Sequence, residues 1–170
     1  GLRWNDCDFE NNEIFINHNV IYRFRDYDGW RFRLTTPKTN AGNRVVPMLS
    51  EVREALLQER ENQKRFKLKS PTIDGYSNFV FLNREQNLHN PMTINRAIKR
   101  IIRDHNRDEV KLAEKEKGEP LLIRDFSVHN LRHTFCTRFC ENETNLKVIQ
   151  EIMGHSDIST TMNIYAEATA

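Results

Sequence analysis

Hydrophobic and polar residues alternate along "NEIFINHNVIYRF" and again along "WRFRLTTP". Asp26-Tyr27-Asp28-Gly29 between them is a turn signal, so the two runs read as a β-hairpin. "NAGN" turns the chain into "RVVPM", a third strand with Pro47 near its end. From Ser50 the period becomes helical: Ser50 suits an N-cap, and Val52, Leu56 and Leu57 share one side of a helix reaching about residue 69. "NFVFLN" reads as a short buried strand or extended segment. Helices then dominate, over about 91–106, 127–140, 145–153 and 158–166. "NRDEVKLAEKEKGEP", with Gly118 and Pro120, reads as an exposed insertion or loose helix–loop. The pattern predicts an α+β chain, mainly helical, in which a small antiparallel three-stranded sheet near the N-terminal end packs on a helical bundle.

The chain's 170 residues suit one domain with a real core. With 29% charged and 38% hydrophobic residues it reads as soluble and globular. No apolar run approaches the ~20 residues of a membrane span, and no signal peptide is visible. Three cysteines, Cys7, Cys136 and Cys140, are odd in number and too few for a disulfide framework, which points to a reducing cytosol. A net charge of +2 leaves nucleic-acid binding open. Local charge says more. Residues 14–47 carry Arg23, Arg25, Arg31, Arg33, Lys38 and Arg44 against Asp26 and Asp28, which makes this sheet, Arg44 included, a candidate phosphate-facing surface.

Arg96, Lys99, Arg100 and Arg103 recur at i, i+3, i+4 and i+7, one face of a helix, with Ile94, Ile98, Ile101 and Ile102 largely away from them. The face is either merely solvated or laid along a phosphate backbone. In "HNLRHTFCTRFC" the residues His129, His133, Cys136 and Cys140 are zinc-type ligands at helical spacing. Eleven residues at ~1.5 Å rise separate the end members by roughly 16 Å, too far for one ion, so buried Cys136 and Cys140 are expected as small core residues and no metal is expected. His129 and Arg132 lie one turn apart and can face one point, where arginine's fork suits phosphate oxygens and histidine can donate or accept a proton. Gly154 is a natural left-handed helix stop that would project His155 past the helix end. Ser156 or Asp157 can cap the next helix, on which Thr161, Ile164 and Tyr165 share a side. Against these stand a C-cap histidine and a packed tyrosine ring. Lys38 in "TPKTNAGNR" is a solvated turn lysine or a mobile proton donor.

Four segments in order resemble the tyrosine recombinases, or phage-type integrases, and above all those of conjugative transposons. "HNLRHTF" resembles the H-x-x-R-H motif, and "MGHSDISTTMNIY" the L-G-H…Y ending with Met153 for the usual leucine. "TPKTNAGNRVVPM" resembles the β-hairpin lysine segment, and "GLRWNDCDFENNEI" the entry into the sheet. The resemblance implies the tyrosine recombinase catalytic fold over 1–170. It implies strand cleavage and rejoining for excision and integration of a mobile element, without cofactor. Tyr165 would be the nucleophile forming a 3′-phosphotyrosine, Arg132 and His155 would hold non-bridging oxygens, His129 would assist proton transfer, and Lys38 would protonate the departing 5′ oxygen. The partners implied are double-stranded DNA at element ends and target sites and further copies of the chain, as a tetrameric synapse in a bacterial cytoplasm. The family's second arginine should lie upstream of "LRW", and Arg3 does not replace it. The chain is therefore expected to be part of a longer protein with N-terminal DNA-binding domains, and to cleave poorly alone. A type IB topoisomerase shares the chemistry, but segment order and brevity favour the recombinase. The alternative from another class is a DNA-binding module that has lost catalysis.

Overall fold

A computed structural model describes residues 1–169. Its strands are β1 (Cys7–Asp8), β2 (Glu13–Ile16), β3 (Asn19–Arg25), β4 (Gly29–Thr35) and β5 (Arg44–Pro47). Its helices are α1 (Ser50–Arg65), α2 (Pro91–Glu116), α3 (Val128–Asn142), α4 (Leu146–Met153) and α5 (Ile158–Thr169). The hairpin at Asp26–Gly29 is β3–β4, with Arg25 opposite Gly29 and Gly29 at φ 71°. A three-stranded antiparallel sheet is present with different members from those expected: its order is β1-β2-β5, and β3–β4 stands apart as a second sheet.

The long apolar run is broken at Asn17-His18. The His18 ring makes short contacts to Asn17 Oδ1 at 2.5 Å and the Gly1 carbonyl at 2.7 Å, which takes β3 out of line with β2. β5 therefore pairs with β2, Ile14 opposite Val46 and Ile16 opposite Arg44, and Pro47 closes an edge where no ladder donor is needed.

Two cores support these sheets. Met48, Leu56 and Val80 are buried with Leu2, Trp4 and Ile14 against them, while Phe79, Leu82 and Leu88 are buried beneath Val20, Phe32 and Leu34 of the hairpin. "NFVFLN" is the extended segment between them, and its alternation sends Phe79 to one core and Val80 to the other. Gln63 of α1 fastens it, donating to the Phe79 and Val80 carbonyls and accepting from the Trp4 indole at 3.0 Å. Ser50 is the first residue of α1 rather than its cap, since Leu49 holds the extended N-cap position, and the helix ends at Arg65.

α2 runs ten residues past its expected end, because "NRDEVKLAEKE" contains no breaker before Lys117 turns left-handed and Gly118 follows. The next segment returns along it. The Asn106 side-chain amide pairs with both backbone groups of Ile123 at 2.8 Å, and Asn95 Oδ1 accepts from Val128 N–H. No helix among the described residues is long and apolar enough to cross a membrane.

Candidate active site

α3, α4 and α5 pack on one another around a third core, and α4 also meets β5. Cys136 and Cys140 of α3 and Ile149 and Met153 of α4 are buried there, one turn apart on each helix, with Ile164 and Tyr165 of α5 packed against them. Burial pushes the Cys136 thiol up to about 11, with Cys140 adding to the effect, so it behaves as a small core residue. His129 and His133 are exposed on the same helix with rings edge to face at 4.6 Å, so the four zinc-type residues divide between surface and core.

The end of α4 organises the site. Asn145 caps the helix start, accepting from Lys147 and Val148 N–H, and Gly154 ends it at φ 67°. A Cβ at Gly154 would come within 2.6 Å of the Arg44 guanidinium and 3.0 Å of the Ala41 carbonyl, so both the left-handed backbone and the close approach require glycine. Arg44 Nε donates to the Ile152 carbonyl at 2.9 Å, and Arg132 Nη2 donates to the carbonyl of Met153. These are carbonyls of the last helical turn, which lack intrahelical partners and carry the negative end of the helix dipole. Two arginines thus stand side by side. Burial, and after it the Arg132 charge, holds the half-buried Arg44 guanidinium below its ordinary pKa. Among the described residues neither arginine forms an ion pair with a carboxylate.

His155 follows Gly154 and is fixed at three atoms. Its N–H donates to the Gln150 carbonyl, its carbonyl accepts from Gln150 Nε2, and Nδ1 lies 3.0 Å from Thr161 Oγ1. Thr161 is fully buried, one turn before Tyr165 on α5. Burial, then the charges of Arg132, Arg44 and His133, lower the His155 pKa from 6.5 and so favour the neutral ring. A groove of about 480 Å³ opens beside Arg44 and His155, lined also by Lys147, Gln150 and Ser156.

Of the residues singled out from sequence, Arg132 and His155 come together at this helix end, His129 lies one turn before Arg132 on α3, and Tyr165 packs against the core that Met153 shares. Lys38 is exposed between β4 and β5, and no hydrogen bond or ion pair holds it among the described residues. Arg96, Lys99, Arg100 and Arg103 are exposed along α2 and line an open groove of about 850 Å³. Arg44 lies with Arg132 instead of on that open face. Two contributions had little warning in the sequence: Arg44 as the second site cation, and Thr161 as the partner of His155, for which the only signal was its place on the Tyr165 side of α5. Among the described residues no cluster of three or more His, Cys, Asp or Glu could hold a metal ion.

Two arginines with no carboxylate partner among the described residues, held on a helix end beside His155, form a positively charged corner of the kind that suits an anion. The phage integrase family matches residues 1–170. The chain belongs to this family. It is 38% identical over 173 residues to the transposase from transposon Tn916 of Enterococcus faecalis, covering 99% of this chain and 38% of that protein. It is 32% identical over 172 residues to a XerC-like tyrosine recombinase of Caldanaerobacter subterraneus, covering 97% of this chain and 40% of that protein. The integrase of transposon Tn1549, solved in complex with transposon right end DNA, superposes with a TM-score of 0.79 at 32% identity over 97% of this chain and 48% of the solved one. The fold is the tyrosine recombinase catalytic fold. The integrase-family chain spans about two fifths of the length of these two curated relatives.

Proposed function

We propose that the protein is a site-specific DNA recombinase that cleaves and rejoins strands through a 3′-phosphotyrosine, for excision and integration of a mobile element. The observation that carries this reading is the pair of arginines without carboxylates, fixed on the end of α4 beside His155 and one helical turn, through Thr161, from Tyr165. The family relatives, a transposon transposase among them, support the same reading.

Tyr165 Oη attacks the phosphorus of a DNA phosphodiester. The tyrosyl O–P bond forms, the P–O5′ bond breaks, and the retained bond energy lets a new 5′ hydroxyl reverse the step without nucleotide or metal. Arg132 commits one N–H to the Met153 carbonyl, which aims the rest of its fork at the non-bridging oxygens. When Nδ1 of the neutral His155 ring accepts the Thr161 hydroxyl, the ring proton sits on Nε2, where it donates to the same oxygens. Both groups stabilise the charge of the pentacoordinate state. His129 assists proton transfer from the tyrosine, and Lys38 reaches the groove with DNA bound to protonate the leaving 5′ oxygen. Arg96, Lys99, Arg100 and Arg103 attract the duplex phosphates. The working assembly is a homo-oligomer on DNA, a tetramer pairing two sites in the bacterial cytoplasm.

Covalent trapping on a nicked duplex carrying the element end tests this reading. The full-length protein should give a shifted band on a denaturing gel that is absent for Tyr165→Phe. DNA binding without a band would favour a non-catalytic DNA-binding module instead.

A further inference from the structure

One face of the β3–β4 hairpin is apolar throughout, with Val20 opposite Leu34, Tyr22 opposite Phe32 and Phe24 opposite Trp30. Its base is accounted for, because Val20, Phe32 and Leu34 cover the Phe79, Leu82 and Leu88 core. Toward the turn the aromatic row runs past that core, and Trp30 is 59% exposed. Trp30 stacks on Tyr22 with centroids 5.3 Å apart and planes at 22°, and Tyr22 meets Phe32 at 4.8 Å. Two grooves, of about 590 and 470 Å³, meet at Tyr22, Phe32 and Asn87.

The larger groove is rich in hydrogen-bond donors. Asn83, Asn87 and Asn90 line it, and each spends its side-chain oxygen on backbone N–H groups: Asn83 on Glu85 and Asn87, Asn87 on Leu88, Asn90 on Met92. Their three Nδ2 groups have no hydrogen-bond partner among the described residues. Arg84 and His89 stand beside them, with Glu85 as the one carboxylate, and Thr93 joins this groove to the basic groove of α2.

We propose that this corner binds unpaired bases of single-stranded DNA, stacked on the Trp30–Tyr22 row, with Arg84 and the asparagine amides on the strand's phosphates and base carbonyls; the proposal rests on the reading that the protein acts on DNA. Stacking needs a base whose face is bare, and inside a duplex that face is covered by its neighbours. The donors match a ligand rich in acceptors, and the continuous path to Arg96, Lys99 and Arg100 gives its phosphates the complementary charge.

Fluorescence anisotropy of the full-length protein with a labelled oligothymidylate, and with a duplex of equal length, tests the proposal. Trp30→Ala should weaken single-strand binding by about 5- to 150-fold, the span of base–aromatic stacking, and leave duplex binding within about twofold. Trp30→Phe keeps a ring and should retain most single-strand affinity, and an unchanged circular dichroism spectrum for Trp30→Ala excludes misfolding. Equal losses on both DNAs, or no loss on either, would overturn the site. So would self-association in sedimentation that Trp30→Ala abolishes, since the patch would then be covered by a second copy. The covalent-adduct assay separates the two readings: single-strand binding that needs Trp30 in a protein forming no adduct leaves the groove standing and removes the recombinase, and the converse result does the reverse.

Discussion

Cations serve the molecule differently at the end of α4 and along α2. Arg44 and Arg132 are each bonded to a carbonyl of the same helical turn, and their charges press on one another and on His155. Arg96, Lys99, Arg100 and Arg103 stand exposed on an open groove. Holding two like charges together costs free energy, which the helix-end carbonyls and the dipole partly offset. In return the fork is aimed before any ligand arrives, as transition-state stabilisation requires. Exposed cations cost little to keep and give attraction without direction. On the proposed reading, chemistry belongs to the first set and capture of DNA to the second.

Removing a pinned cation should have the largest effect. Arg132→Ala is expected to slow adduct formation on saturating DNA by about 10²- to 10³-fold, as loss of one preorganised donor does elsewhere, with duplex affinity little changed. A loss confined to affinity would place Arg132 with the α2 cations and end the contrast. Thr161→Val comes next. It leaves His155 Nδ1 facing a methyl in a buried site, which should cost about 1–3 kcal/mol in urea unfolding and slow cleavage. Thr161→Ser should recover most of both, and equal activity of the valine variant would show that Thr161 does not orient His155.

Substituting a free cation should act through salt. Arg100→Ala is expected to lower the slope of log affinity against log salt by about one phosphate's worth, near 0.9, with stability changed by less than about 0.5 kcal/mol. An unchanged slope would mean that α2 does not face the backbone. The smallest expected effect comes from His155. Its folded pKa lies below the ordinary 6.5, so the unfolded chain binds the proton more readily. The stability from its neutral form is complete above about pH 6.5 and is lost as pH falls through the folded value. Between pH 7 and 5, thermal unfolding of His155→Gln should lose less stability than that of the parent, and identical slopes would show that the ring is not held neutral.

Local structure was readable wherever one segment determines it. The β3–β4 turn, the Asn145 start and Gly154 stop of α4, and the one-turn spacing of His129 and Arg132 all stand as the chain pattern predicts. The run from Glu13 to Arg25 was not readable as two strands, because the break at His18 is held by the Gly1 carbonyl, which no local period can show. The end of α2 is hidden for a different reason: a charged run looks like loop, yet these residues are good helix formers.

The sequence alone determined the order of the motifs, the caps and the residue types able to bind an anion and attack it, since these depend on neighbours within a turn or two. Which arginines would stand together was decided only by the tertiary structure. Arg44 reaches the Ile152 carbonyl across 108 residues because β5 pairs with β2 and lies against α4, a placement set by the faces the sheet and helices bury together. The same burial put the Thr161 hydroxyl on His155 and Tyr165 on the core behind it, where side-chain periodicity names a face but not the partner that face will meet.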